Sequence, residues 1–236
     1  MHKTKSGPST LPLYIQVSEL LIREIASGRL ADGERLPPEK TLAAAHDVTV
    51  GTLRKSLNVL AQKGLLDRIH GSGNYVRTNA QATSVYSMFR IELLQGGGLP
   101  SAQYIDIQLQ KKPQDLPHFG TSSDATRIRR LRYLNDTPVA LEEIWLDADS
   151  GTIEPDQTPD SLYHYYKTNF GFWITQAIDT LGVDTVPTWA PVAFGVAIHE
   201  KTVLIERKSW AQTTESVEYS RTWMNADKAR YVQRLR

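Results

Sequence analysis

Two short stretches of this 236-residue chain hold polar side chains in patterns suited to binding. The first is Ile128-Arg129-Arg130-Leu131-Arg132. Arg130 and Arg132 stand two residues apart, so on a β-strand both project from one face and together could clamp a single anion. The alternative is a charged strand in which Arg127, Arg129, Arg130 and Arg132 meet solvent. The second stretch is Thr49-Val50-Gly51-Thr52-Leu53-Arg54-Lys55. On a helix, Thr49, Thr52, Arg54 and Lys55 occupy or flank one polar face, which suits hydrogen bonding to base edges and phosphates. An exposed arginine is otherwise most often a solvated charge.

Other chemistries lack their residues. The chain has no cysteine, which excludes a disulfide framework and any cysteine zinc site and fits a reducing cytosol. Its 6 histidines (His2, His46, His70, His118, His164, His199) include no pair at helix-borne metal spacing, so no metal or other cofactor is expected. There is no Gly-x-Ser-x-Gly elbow and no phosphate loop. No catalytic residue is therefore nominated. The basic segment Met1–Pro8 lacks the apolar run of a signal peptide, and no window approaches a membrane span. A soluble cytoplasmic protein is the simplest reading. A net charge of +1 hides an asymmetry: residues 1–78 carry 11 Lys/Arg against 7 Asp/Glu, so the excess of positive charge lies there.

These side chains need elements to hold them. Leu13, Val17, Leu20, Leu21 and Ile25 recur at helical spacing and stop at Ser27-Gly28. Leu36-Pro37-Pro38 opens a short second helix through Ala45, with proline in its first turn. Thr49 is a natural N-cap for a third helix that buries Leu53, Leu57 and Leu60 and ends at Lys63-Gly64. Two short strands, 65–69 and 74–77, flank Gly71-Ser72-Gly73. Three helices and a hairpin describe a winged helix-turn-helix, with core positions Leu13, Val17, Leu36, Leu42, Leu53, Leu57 and Leu66. Its third helix would enter the major groove, and the hairpin tip (His70, Gly71, Ser72) would reach the neighbouring groove or backbone. Domain boundaries at 10–78, 79–84 and 85–236 follow, the middle segment being a polar linker.

Beyond the linker the pattern turns to strands: 86–94, 102–111, 126–134 and 139–146, the last two joined by Asn135-Asp136-Thr137-Pro138 as a hairpin. Residues 161–169 read as helix, 173–185 as ambiguous and strand-like at first, 190–195 as a short helix, and 203–211 with 217–225 as a strand pair. Trp173, Trp189, Trp210 and Trp223 read as core more readily than as pocket lining. The class is α+β, dominated by antiparallel sheet.

Pro12-Leu13-Tyr14-x-Gln16-Val17, Gly28-Arg29-Leu30-x-x-Gly33-x-x-Leu36-Pro37-x-Glu39, Val48-Thr49-x-x-Thr52-Leu53-Arg54 and Gly64-Leu65-Leu66-x-Arg68-x-x-Gly71-x-Gly73-x-Tyr75-Val76 together resemble the GntR family of bacterial regulators. Ile128-x-Arg130-Leu131-Arg132, Pro138-Val139-x-x-Glu142, Ser161-Leu162-Tyr163 and Val217-Glu218-Tyr219-Ser220 resemble the UTRA domain of its HutC branch. The resemblance implies a chorismate-lyase-like antiparallel sheet with flanking helices around a central effector pocket, a homodimer, and a repressor that binds double-stranded operator DNA. By position it assigns DNA contact to the third helix and wing. It also carries Arg130, Arg132, Glu142 and Ser161 over as effector-binding residues, with Tyr163 and Arg221 as neighbours.

Three departures bear on specificity. Val50 and Lys40 stand where relatives often carry arginine, which points to an altered base preference; valine can pack on a thymine methyl but cannot donate to guanine. Gln176 likewise replaces a frequent arginine, so a carboxylate or another polar metabolite becomes as plausible an effector as a sugar phosphate. A constitutive DNA binder and a lyase-like enzyme are the alternatives.

Overall fold

The computed structural model describes residues 12–78, 88–156 and 161–234, and the expected linker, 79–84, lies outside them. The chain divides into two compact units, one built on residues 12–78 and one on 100–230.

In the first unit α1 (Leu13–Ala26), α2 (Glu39–Ala45) and α3 (Val50–Gln62) precede the antiparallel pair β1 (Leu66–Ile69) and β2 (Gly73–Val76). Helical spacing brings Val17, Leu21, Leu53, Leu57 and Leu60 into one core, none more than 1% exposed. Each such side chain contributes about 1.5–3 kcal/mol of transfer free energy. Thr49 caps α3, its hydroxyl accepting from the Thr52 amide at 3.1 Å. Ser56 is fully buried and ties α3 to α1 by donating to the Tyr14 carbonyl at 2.8 Å. Two expectations change. Leu13 is 45% exposed, because it opens α1 before that helix reaches the core. Pro38 precedes α2 as an extended N-cap rather than sitting in its first turn. The segment before α2 runs beside β2 through an Arg35–Tyr75 bridge, which sets Glu39 next to the hairpin.

The second unit is a six-stranded antiparallel sheet. In chain order its strands are β4 (Pro100–Lys111), β5 (Asp124–Leu134), β6 (Thr137–Asp147), β7 (Gln176–Thr185), β8 (Lys201–Trp210) and β9 (Ser216–Met224), and in space they run β4-β5-β6-β9-β8-β7. β3 (Ile91–Leu93) and β10 (Ala229–Tyr231) form a separate short ladder. The β5–β6 hairpin turns on Asn135 and Asp136, whose φ angles of 47° and 61° are those of a type I′ turn.

Period-two alternation gives the sheet two faces. One carries Ile107, Ile128, Ile144 and Leu146 beneath α4 (Leu162–Tyr165) and the π-turn 166–170, with Tyr166 fully buried between them. The other carries Leu131, Leu141 and Trp223 beneath Val186 and Phe194, and Ala125, Trp145 and Tyr219 beneath Phe119. The helix expected over 161–169 is thus a single α-turn that widens into a π-turn. Trp223 is core, but Trp173 is half exposed.

Candidate functional site

In the first unit the exposed side chains gather on α3 and the hairpin. Arg54 and Lys55 project from α3, with Thr49 exposed at its start, while Lys40 is exposed on α2. Thr52 is half-buried, its hydroxyl 2.9 Å from that of Thr49. Val50 differs from the rest, because it is partly buried and packs against the hydrophobic core. At the hairpin tip His70 and Gly71 are exposed and the Ser72 hydroxyl lies 2.8 Å from Tyr75 Oη. Gly71 holds φ at +72°, and a Cβ there would meet nothing within 4 Å. A groove of about 520 Å³ runs from Glu39 along residues 68–74.

Sequence reasoning nominated neither Glu39 nor Arg68, yet in the structure Glu39 contacts both Arg54 and Arg68. Glu39 accepts from Arg54 Nε at 2.6 Å and from Arg68 Nη2 at 3.2 Å. Arg68 Nη1 also donates to Asn58 on α3. Neither strand pattern nor helical spacing could reveal these contacts, since they span 15 and 29 residues.

In the second unit the register settles the orientation of the arginines. Arg130 pairs across β5–β6 with Glu142, and Glu142 pairs across β6–β9 with Thr222. Arg130 Nε donates to Glu142 Oε2 at 2.5 Å, and Arg132 Nε lies 3.7 Å from the same oxygen. Both guanidiniums are buried, and Arg130 Nη1 has no hydrogen-bond partner among the described residues. Burial works against charge on both sides of this pair. The attraction overrides it, so Glu142 titrates below its ordinary value and Arg130 above. Arg127 and Arg129 lie on the opposite face, paired with Asp106 and Glu143.

The same face of β7, β8 and β9 adds a second polar group. Arg207 forks onto Asp179 with two bonds of 2.6 Å. Glu218, 2% exposed, accepts from Tyr166 Oη at 2.7 Å, Ser209 Oγ at 3.0 Å and Tyr163 Oη at 3.1 Å. Burial raises the Glu218 pKa, and these hydroxyls only partly oppose it. Burial also raises the Tyr163 phenol, with the Glu218 charge adding to it.

Of the residues nominated from sequence, Arg130, Arg132, Glu142 and Tyr163 share this face. Ser161 is buried at the start of α4, where its hydroxyl accepts the His164 amide at 3.3 Å. Arg221 is not brought to them. It stands opposite Glu143 and Glu206 in the strand register, on the other face, and reaches Asp115 at 3.1 Å. Missed altogether were Asp179, Arg207, Ser209 and Tyr166. Their signal was available in part, for Arg207 and Ser209 are two apart on an alternating strand. Gln176, expected to mark a lost charge, is exposed at the start of β7, while Arg207 supplies a third arginine from β8.

Among the described residues no group of three His, Cys, Asp or Glu could hold a metal ion, and no helix is long and apolar enough to cross a membrane.

Comparison with known proteins places the chain in a family. The model for bacterial regulatory proteins of the gntR family matches residues 13–76, and that for the UTRA domain matches residues 95–230. The chain is 48% identical over 233 residues to the HTH-type transcriptional regulator SmoD of Agrobacterium fabrum, covering 98% of this chain and 100% of SmoD. It is 26% identical to the HTH-type transcriptional repressor NagR of Bacillus subtilis, covering 98% of this chain and 97% of NagR. The mannosyl-D-glycerate transport/metabolism system repressor MngR of Escherichia coli is 28% identical over 173 residues, which is 66% of this chain and 68% of MngR. Among solved structures, YydK of Bacillus subtilis shares the fold with a TM-score of 0.53 at 22% identity, covering 96% of this chain and 100% of its own. These relatives are regulators, not enzymes. The chain belongs to the GntR family of bacterial transcriptional regulators, with a helix-turn-helix DNA-binding unit followed by a UTRA effector-binding domain.

Proposed function

We propose that the protein is a ligand-responsive, cytoplasmic repressor that binds operator DNA as a homodimer and releases it when a small polar anion occupies the face built by Arg130, Arg132 and Glu142. In this reading Thr49, Thr52, Arg54 and Lys55 meet the DNA with Lys40 and the hairpin tip His70–Ser72, and Val50 shapes the groove contact from its half-buried position. The observation that carries the effector half is Arg130. A guanidinium buried with Nη1 unpartnered is costly, and an anionic oxygen is the acceptor it lacks. Among the described residues Glu142 is shared between Arg130 and Arg132, which stand on the same face. The hydroxyls of Tyr163, Tyr166 and Ser209 with Glu218 suit a hydroxyl-bearing remainder. That combination favours a sugar phosphate or hydroxy-carboxylate. MngR is by name the repressor of a mannosyl-D-glycerate system, a compound that joins sugar hydroxyls to a carboxylate. Ser161 bounds the site through α4.

Coupling between effector and DNA of about 1–3 kcal/mol would weaken operator binding about 5–150-fold. Thermal shift with inorganic phosphate, glucose 6-phosphate, glycerate and neutral glucose tests the reading. Stabilisation by the anions but not by glucose is expected, and Arg130→Lys should remove most of it. Equal shifts in the wild type and the variant would sink the pocket assignment, and operator binding indifferent to every stabilising anion would leave a constitutive DNA binder.

A further inference from the structure

Glu39 is an acidic residue on the face proposed to meet DNA, where its charge opposes docking to phosphate. Its carboxylate nevertheless joins three elements. From α2 it takes Arg54 of α3 at 2.6 Å through one oxygen and Arg68 of β1 at 3.2 Å through the other. Arg68 uses its second amino group on Asn58, one turn beyond Arg54 on α3. Among the described residues Arg54 is held through Nε only, and its side chain stays 64% exposed. Both of its Nη groups therefore remain available, whereas Arg68 has each of its Nη groups engaged.

We infer that Glu39 is a positioning residue for sequence recognition, holding Arg54 as an oriented fork and keeping Arg68 as a brace between α3 and the hairpin. The inference rests on the DNA-binding reading above. Bidentate readout of guanine needs two donors at fixed spacing and angle, and a free arginine must first be ordered to provide them. A carboxylate clamped on Nε does that ordering before DNA arrives. It also lowers the local positive potential, which weakens binding to any duplex alike. Glu39 thus favours discrimination at the expense of general affinity. Arg68, with its donors directed at Glu39 and Asn58, fixes the hairpin against α3 instead of neutralising a phosphate.

The test begins with a duplex selected from a random library by the full-length wild-type chain. Affinities for that duplex and a scrambled one are then measured across a salt series. Glu39→Gln is expected to lower the preference about tenfold, the scale of one lost base contact, with scrambled binding unchanged or tighter. Arg68→Ala should also lower the preference while leaving the salt slope on scrambled duplex unchanged. A phosphate contact would instead reduce that slope by about one and weaken both duplexes equally. Urea unfolding of each variant checks that the fold survives, and Arg54→Lys, which keeps the charge but not the fork, should resemble Glu39→Gln and add little to it in the double variant. A full preference in Glu39→Gln, or a phosphate-like signature in Arg68→Ala, overturns the inference. If the wild type selects no sequence, the DNA-binding reading fails and the inference with it.

Discussion

Arg130 Nε donates to Glu142 Oε2 at 2.5 Å across the β5–β6 ladder, and Arg132 shares the same carboxylate from 3.7 Å. Two buried arginines therefore share this carboxylate. Removing it should be costly, because breaking one side of a buried ion pair typically loses about 3–5 kcal/mol. Glu142→Ala is expected to lower unfolding free energy on that scale in urea, with Glu142→Ala/Arg130→Met recovering much of the loss. A single variant as stable as wild type would mean that the arginines find other partners.

His46 ends α2 and is partly buried, and burial with the nearby Arg29 charge lowers its pKa below the ordinary 6.5. Below that pH the unfolded chain binds more protons than the folded one. The stability that neutral His46 supplies is complete above about 6.5, is lost as pH falls through the depressed value, and then levels off. Comparing wild type with His46→Gln between pH 7.5 and 5 should show a gap that changes across this window. Parallel pH profiles would contradict the assignment.

Thr49 supplies the cap of α3 through the Thr52 amide. Thr49→Ala should cost about 1 kcal/mol of stability, and Thr49→Gly only a few tenths from the capping loss. Denaturant midpoints check this, and an unaffected midpoint for the alanine variant would show that the α3 terminus is held by other contacts.

Gly120 and Gly171 have similar positive φ angles, 60° and 76°, but different surroundings. A Cβ at Gly120 would stand 2.1 Å from Asp147 Oδ2, the oxygen that also takes Lys112 Nζ at 2.5 Å, whereas at Gly171 nothing lies within 4 Å. Gly171→Ala should therefore lose about 1–2 kcal/mol, the left-handed backbone cost alone. Gly120→Ala should lose clearly more, about 3 kcal/mol or above, as steric conflict is added. Equal losses in thermal melts would refute the distinction.

Local order in the chain was enough to place most elements. The period of Val17, Leu21, Leu53, Leu57 and Leu60 put α1 and α3 where they are, because a helix buries residues three and four apart whatever surrounds it. Thr49 as cap, Gly28 and Gly64 as left-handed stops and Asn135-Asp136 as a turn are local conformational facts of the same kind. Alternation likewise placed Arg130 and Arg132 on one face. The family motifs then carried the functional class, since they preserve order and spacing along the chain.

What the sequence could not hold is anything that depends on strand order and register. β6 lies beside β9, with β7 and β8 outside, so Glu142 faces Thr222 rather than a residue of the next strand. That placement separates Arg221 from the cluster by a single residue of parity, and adds Arg207, Asp179 and Ser209 to it. Glu218 became a buried acceptor only when α4 and the π-turn laid Tyr163 and Tyr166 over the sheet. Glu39 in turn met Arg54 and Arg68 only because α2, α3 and the hairpin converge. A sequence sets which face each side chain takes on its own element, whereas the packing of elements decides which faces meet.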